Sequence, residues 1–201
     1  MTVRPRDAGQ AGITMVEMAV VVALLGLVLT MAFQGLVAYQ RAAAGADTRQ
    51  DNLAQARTVM AVLTKDLRTA TEFTAMSATD VTFTGLLNTA ATAPANQLRL
   101  YVDSNGVLRE AVTTPDNPNA SPLTYTGTPT TQVVGQGLVS TSGLLSFRDS
   151  SDAVTTSLMA VTSVVVTVSV DLPSRSGIDV PPTVLSSRVF LPNLAAAASE
   201  A

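Results

Sequence analysis

Residues 13–40 are apolar at almost every position, and the pattern changes twice further along the chain. Met18 to Gln40 is an unbroken run without a formal charge. At 1.5 Å per residue its 23 residues make a helix of about 35 Å, enough for a ~30 Å hydrocarbon core with some tilt. Gly26 and Gly35 interrupt it, and Thr30 and Gln34 are polar positions within it. Beyond it, Leu53, Ala56, Val59, Met60, Leu63, Leu67 and Ala70 recur mostly at spacings of three and four, the stripe of an amphipathic helix. Asp51, Gln55, Thr58, Lys65, Asp66 and Arg68 are expected mostly off that stripe. The two halves predict one helix from Ile13 to about Ala70, apolar all round first and one-sided afterwards. A coiled coil is the alternative for the second half, but sustained heptads are lacking.

From Thr71 the period shortens to two. Val81–Thr84 alternates as a strand does, and 85–96 reads as a loop. Leu98–Val102 and Val107–Val112 flank Asp103-Ser104-Asn105-Gly106, a hairpin signal because Asn-Gly supplies positive φ. Residues 113–137, with Pro115, Pro118, Pro122 and Pro129, read as a surface loop. Leu144–Arg148 is a further strand, followed by an Asp149–Asp152 turn. Ser163–Leu172 is the clearest strand, with Val164, Val166, Val168, Val170 and Leu172 on one face. A Pro-rich connection over 173–183 leads to a last strand, Val184–Leu191, and 195–201 is expected to fray. The fold class is therefore α+β: a long N-terminal helix packed on an antiparallel β-rich C-terminal domain over 72–194.

Composition narrows the chemistry. The 201 residues include no cysteine and no histidine, which removes disulfides, thiolate and imidazole metal sites, and Ser/His or Cys/His nucleophilic machinery. Asp47, Asp51, Asp66, Glu72 and Asp80 are scattered acids that solvated faces explain better than an acid–base pair does. Asp103 and Asn105 form a fragment of a calcium loop without its later acidic ligands, so a structural turn is the expectation. Gly135-Gln136-Gly137 lacks the strand–turn–helix setting and the lysine of a phosphate loop. No enzyme, cofactor or metal site is expected. The formal charge of −3 and the absence of a basic run give no sign of a nucleic-acid partner.

The start of the chain carries the sharpest signal. A hydrophilic leader, Met1 to Gly12, bears Arg4 and Arg6 and precedes Ile13-Thr14-Met15-Val16-Glu17 and the apolar run. A secretory signal has the reverse layout, with its cleavage site after the apolar region. Gly12, four uncharged residues, Glu17 and the long apolar run together resemble the class III signal of type IV pilins and pseudopilins. The resemblance implies cleavage between Gly12 and Ile13 by a membrane-embedded prepilin peptidase and N-methylation of Ile13. It also implies that Glu17, the fifth mature residue, pairs with the new N-terminal amine of a neighbouring subunit. On residue type alone, an interfacial Glu17 reaching the headgroups explains the position equally well. The family usually has Phe where this chain has Ile13, often has a proline near Thr30–Gln34, and often closes a C-terminal disulfide; this chain does none of these. Without that proline, Gly26 and Gly35 read as tolerated residues, with Gly35 as a point of loosening the sharper alternative.

Removing the leader takes away two of 12 basic and one of 15 acidic side chains and leaves a formal −4. The cations flanking the span, Arg4 and Arg6 before it and Arg41, Arg49 and Arg57 after it, do not by themselves favour either orientation. The resemblance implies a cytoplasmic N-terminus and an extracytoplasmic domain. More loosely, the order of helix, Asn-Gly hairpin, Phe147 strand and Val-rich strand is similar to minor pilins of the W type and the minor pseudopilin J of type II secretion. The expectations are a pilin fold, a single-pass precursor in the cytoplasmic (inner) membrane, and later residence in a pilus or pseudopilus at the cell surface or in the periplasm. The implied partners are the peptidase, other pilin or pseudopilin subunits, the inner-membrane assembly platform and the lipid bilayer. The alternative is a single-span, membrane-anchored extracytoplasmic binding protein that keeps its leader; a tethered hydrolase ranks last, having no nucleophile constellation.

Overall fold

A computed structural model of the chain describes residues 14–86, 94–139, 143–174 and 179–197. The elements in order are α1 (Met15–Arg68), β1 (Ala70–Met76), β2 (Asp80–Gly85), β3 (Asn96–Val102), β4 (Leu108–Thr113), β5 (Thr130–Gly135), β6 (Leu145–Arg148), β7 (Ser163–Val170), β8 (Thr183–Phe190) and α2 (Pro192–Ala197). The protein is α+β, as the change of period predicts. It divides into two units, Met1–Ala44 and Gly45–Ala201, with α1 contributing to both.

In the first unit α1 runs without a break through Gly26 and Gly35. Every position from Thr14 to Ala43 is exposed.

In the second unit, α1 buries Thr48, Asn52, Ala56, Val59, Leu63, Asp66 and Leu67, positions that fall on one face of a 3.6-residue helix. Ala56, Val59, Leu63, Leu67 and Ala70 of the predicted stripe are wholly buried, and Leu53 and Met60 lie at its half-buried edge. Asp66 departs from the expectation: it sits on the buried face, 3% exposed. It follows Leu63 by three residues and Val59 by seven, so helical geometry puts it there despite its charge.

The helix also ends two residues earlier than predicted. The Asp66 carbonyl accepts hydrogen bonds from the Thr69 amide (3.0 Å) and Thr69 Oγ1 (2.7 Å). Continuing the helix would require that carbonyl for the Ala70 amide, so the threonine ends the helix and Ala70 and Thr71 enter β1 instead.

Strands β1 to β5 form one antiparallel sheet in sequence order, and β6-β7-β8 form a second. Alternation sends Phe73, Val81, Phe83, Leu98, Leu100 and Leu108 into the core with the α1 stripe. Central strand β7 adds Val164, Val166, Val168 and Val170. Phe73 joins the two sheets, meeting Phe83 and Phe147 edge-on at centroid distances of 5.9 and 5.7 Å.

The predicted surface loop over 113–137 contains strand β5. Thr130-Thr131-Gln132-Val133-Val134 has strand-forming side chains, and Pro129 stops just short of them. β5 is an edge strand, largely exposed, which is why its alternation is weak in the sequence. Its last residue, Gly135, lies so close to α1 that a Cβ there would overlap the Val59 Cγ2 methyl. The expected fraying at 195–201 is also corrected in part: 195–197 belong to α2, which Pro192 opens with its preset φ. Residues 198–201 lie outside the described residues.

The β3–β4 hairpin forms where Asn-Gly places it, but only Gly106 has positive φ (+69°). Asp103 carbonyl accepts the Gly106 amide at 3.0 Å, and the Asp103 amide donates to Val107 at 2.9 Å. The connection is thus a tight turn followed by a left-handed glycine, not a two-residue turn with both centres left-handed.

Candidate functional site

The processing pair Gly12 and Ile13 lies outside the described residues. Glu17 is described. Thr14 caps α1: its carbonyl accepts the Met18 amide at 3.1 Å and its Oγ1 accepts the Glu17 amide at 3.2 Å. Thr14-x-x-Glu17 therefore has the spacing of a capping box, a local role that the sequence offers and the expectations above did not include. Only half of the box is made. Among the described residues the Glu17 carboxylate has no hydrogen-bond or ion-pair partner, so it is left on the exposed first turn of the helix.

Beyond Glu17 the surface is apolar on all sides. From Met15 to Tyr39, sixteen large apolar side chains are each at least 43% exposed. In water that forgoes on the order of tens of kcal/mol of burial, at roughly 1.5–3 kcal/mol per side chain. No ordinary soluble surface carries a patch of this kind, so this stretch is built for lipid or for other protein. α1 is the one helix among the described residues long and apolar enough to cross a membrane. Gly26 and Gly35 have open space where a Cβ would project, so nothing among the described residues requires glycine at either. Thr30 hides its hydroxyl by donating to the Gly26 carbonyl at 2.8 Å, which lowers its cost in an apolar setting.

Of the scattered acids, Asp47, Asp51 and Glu72 are exposed, and Asp80 is paired with Arg99. Asp66 is the exception. It lies on the buried face of α1 with Oδ2 lacking any partner among the described residues, near Glu110 of β4, which is itself 6% exposed and accepts Gln132 Nε2 at 2.6 Å. Burial first, and the Glu110 charge second, push the Asp66 carboxyl up to about 6, with Lys65 acting in the opposite direction. Both side chains are buried in the domain, and the Asp66 carboxyl is strained there.

The sign of the consequence follows from linkage. Folded Asp66 holds its proton more tightly than the unfolded chain does. Its contribution to stability is complete below about pH 4 and is lost as pH rises through about 6. Asp66→Asn is expected to raise the melting temperature by several degrees at pH 7.5 and by much less at pH 4.5. Calorimetry at both values checks this; equal shifts would show that Asp66 is not strained.

The Asp103 carboxylate is used by its own hairpin. Oδ1 accepts the Asn105 and Val107 amides at 2.9 and 3.1 Å, and Oδ2 accepts Arg109 Nε at 2.9 Å. The Arg109 hydrogen bond, chiefly, holds the Asp103 carboxyl below its usual range. Among the described residues no three acidic side chains gather as a metal site would require. In Gly135-Gln136-Gly137, Gly135 serves the approach to Val59, and the chain continues to the Leu138 bridge with β7, not into a helix. Set against known protein families, curated protein sequences and solved structures, the chain has no match in any of the three.

Proposed function

We propose that this chain is a non-enzymatic subunit of a type IV pilus-like filament, a minor pilin or pseudopilin acting at initiation or at the tip. The precursor inserts in the cytoplasmic membrane, prepilin peptidase cuts it between Gly12 and Ile13, and the assembly platform adds it to other subunits through residues 13–40. The observation that carries this reading is the first part of α1: fourteen exposed apolar side chains, Met18 to Tyr39, headed by a carboxylate with no partner among the described residues. Lipid satisfies the apolar surface but not Glu17. A neighbouring subunit's N-terminal amine would satisfy both, because a buried acid is tolerable when paired.

The deciding experiment is the intact mass and N-terminal sequence of the protein extracted from its native membrane. A chain beginning at Ile13, with or without one added methyl, is expected. A chain still beginning at Met1 or Thr2, from cells with active prepilin peptidase, would replace this reading with that of a single-span anchored binding protein. Glu17→Ala should insert in the membrane as before, yet enter sheared filaments at least about tenfold less, the scale of a lost buried ion pair. Full incorporation would remove the amine-pairing role.

A further inference from the structure

The outer face of the five-stranded sheet is not the open, solvated surface that its position would give it. Strand alternation puts one polar row across it, with Thr82, Arg99, Ala111 and Thr131 paired in register from β2 to β5. The segment 114–129 then closes over one end. Tyr125 donates its hydroxyl to the Ala95 carbonyl at 2.9 Å. Asp116 accepts the Thr126 amide (3.1 Å) and Oγ1 (3.0 Å), and its own amide donates to Thr124 at 2.9 Å. The result is a preformed cavity of about 560 Å³, within the roughly 300–1,000 Å³ range of small-ligand sites.

Its chemistry is specific. Among the described residues the only charged side chains lining it are Arg99 and Asp80, and they neutralise one another through a two-pronged pair, Nε to Oδ1 at 3.0 Å and Nη2 to Oδ2 at 2.5 Å. The Arg99 guanidinium also lies over the Tyr101 ring, 4.7 Å from its centroid. Thr113 also lines the cavity, and its hydroxyl, open to the cavity, has no partner among the described residues. The Gln97 amide and the Thr82 hydroxyl beside it are likewise unspent among the described residues. Polar groups held open on a preformed floor are ready partners for the hydroxyls of a ligand.

We propose that this cavity binds a neutral oligosaccharide. A sugar ring presents hydroxyls that both donate and accept, matching the amide and hydroxyls of the floor, and an apolar C–H face for the two tyrosines. An anionic ligand would have to compete with Asp80 for Arg99, and an apolar one would take the Thr82, Gln97 and Thr113 polar groups out of water without pairing them.

The chain itself supplies the probe: it has three tyrosines and no tryptophan, and two of the three, Tyr101 and Tyr125, line the cavity. Tyrosine fluorescence of the full chain in phosphatidylcholine nanodiscs is titrated with maltotriose, chitotriose and mannotriose. A saturable change is expected with at least one, at a dissociation constant near or below ~1 mM. Thr113→Val, nearly isosteric, should weaken it at least about fivefold without moving the melting temperature by more than about a degree. Asp80→Asn frees Arg99 and should gain affinity for trigalacturonate. No saturable change with any of the three sugars overturns the proposal. So does equal affinity in Thr113→Val, which would put the sugar elsewhere, or a wild-type preference for trigalacturonate.

Discussion

Gly12→Val is expected to leave the entire population at precursor length in cells where the wild-type chain is cut. The peptidase implied by the junction accepts glycine immediately before the scissile bond, where any Cβ must find room. Valine adds a branched side chain that fixes χ1 and crowds the backbone on both sides of the bond. The effect is on one bond only. Gly12 precedes the apolar run, and the C-terminal domain begins tens of residues later, so insertion and the domain's melting profile should not change. Intact mass of membrane extracts reads the result directly. A correctly cut Gly12→Val chain would remove the basis for assigning the junction to prepilin processing.

That substitution and Glu17→Ala act on one step. Without cleavage there is no amine on Ile13 for a neighbour's Glu17 to meet. Each variant alone should therefore lose nearly all filament incorporation, and the double variant should lose no more than the worse of the two. An uncut chain does not reach the filament, so this outcome places the Glu17 step after cleavage.

The parts of the fold governed by a single strong period were legible in the sequence. The buried stripe of α1 follows from the recurrence of Ala56, Val59, Leu63 and Leu67, and β7 follows from alternating valines. Three features were not legible, each for its own reason. β5 is an exposed edge strand, so its pattern lacks the alternation that burial imposes. Asp66 was placed off the stripe by its charge, although its spacing from Val59 and Leu63 puts it on the buried face; geometry prevailed over polarity, at the expense of a strained carboxyl. The outer-face cavity depends on a roof, and the Tyr125 to Ala95 hydrogen bond that pins this roof joins positions 30 residues apart. Thr14 is different: the capping-box spacing with Glu17 stood in the sequence, hidden behind the stronger signal of the junction.

Leu63→Asp is expected to unfold the C-terminal domain at ambient temperature. Leu63 is fully buried at the centre of the stripe that meets the core. Truncating a buried leucine to alanine already costs about 2–5 kcal/mol through lost transfer energy and the cavity left behind. An aspartate adds a buried charge, and the effective penalty for an unpaired ion is several kcal/mol more, unless the carboxyl takes up a proton and unfolds the domain less at low pH. The sum reaches the roughly 5–15 kcal/mol that holds a domain of this size together. Helix propensity is not the cause. The control is Ala61→Asp, on the exposed side of the same helix and four residues before Lys65; there the new carboxylate is solvated and favourably spaced, and stability should stay within about 0.5 kcal/mol. Hydrogen exchange of the chain in lipid nanodiscs separates the outcomes: in Leu63→Asp the amides of β2, β3 and β4 lose protection, while those of residues 18–40 keep theirs. Retained protection in the sheet would mean that the α1 stripe does not hold the domain together.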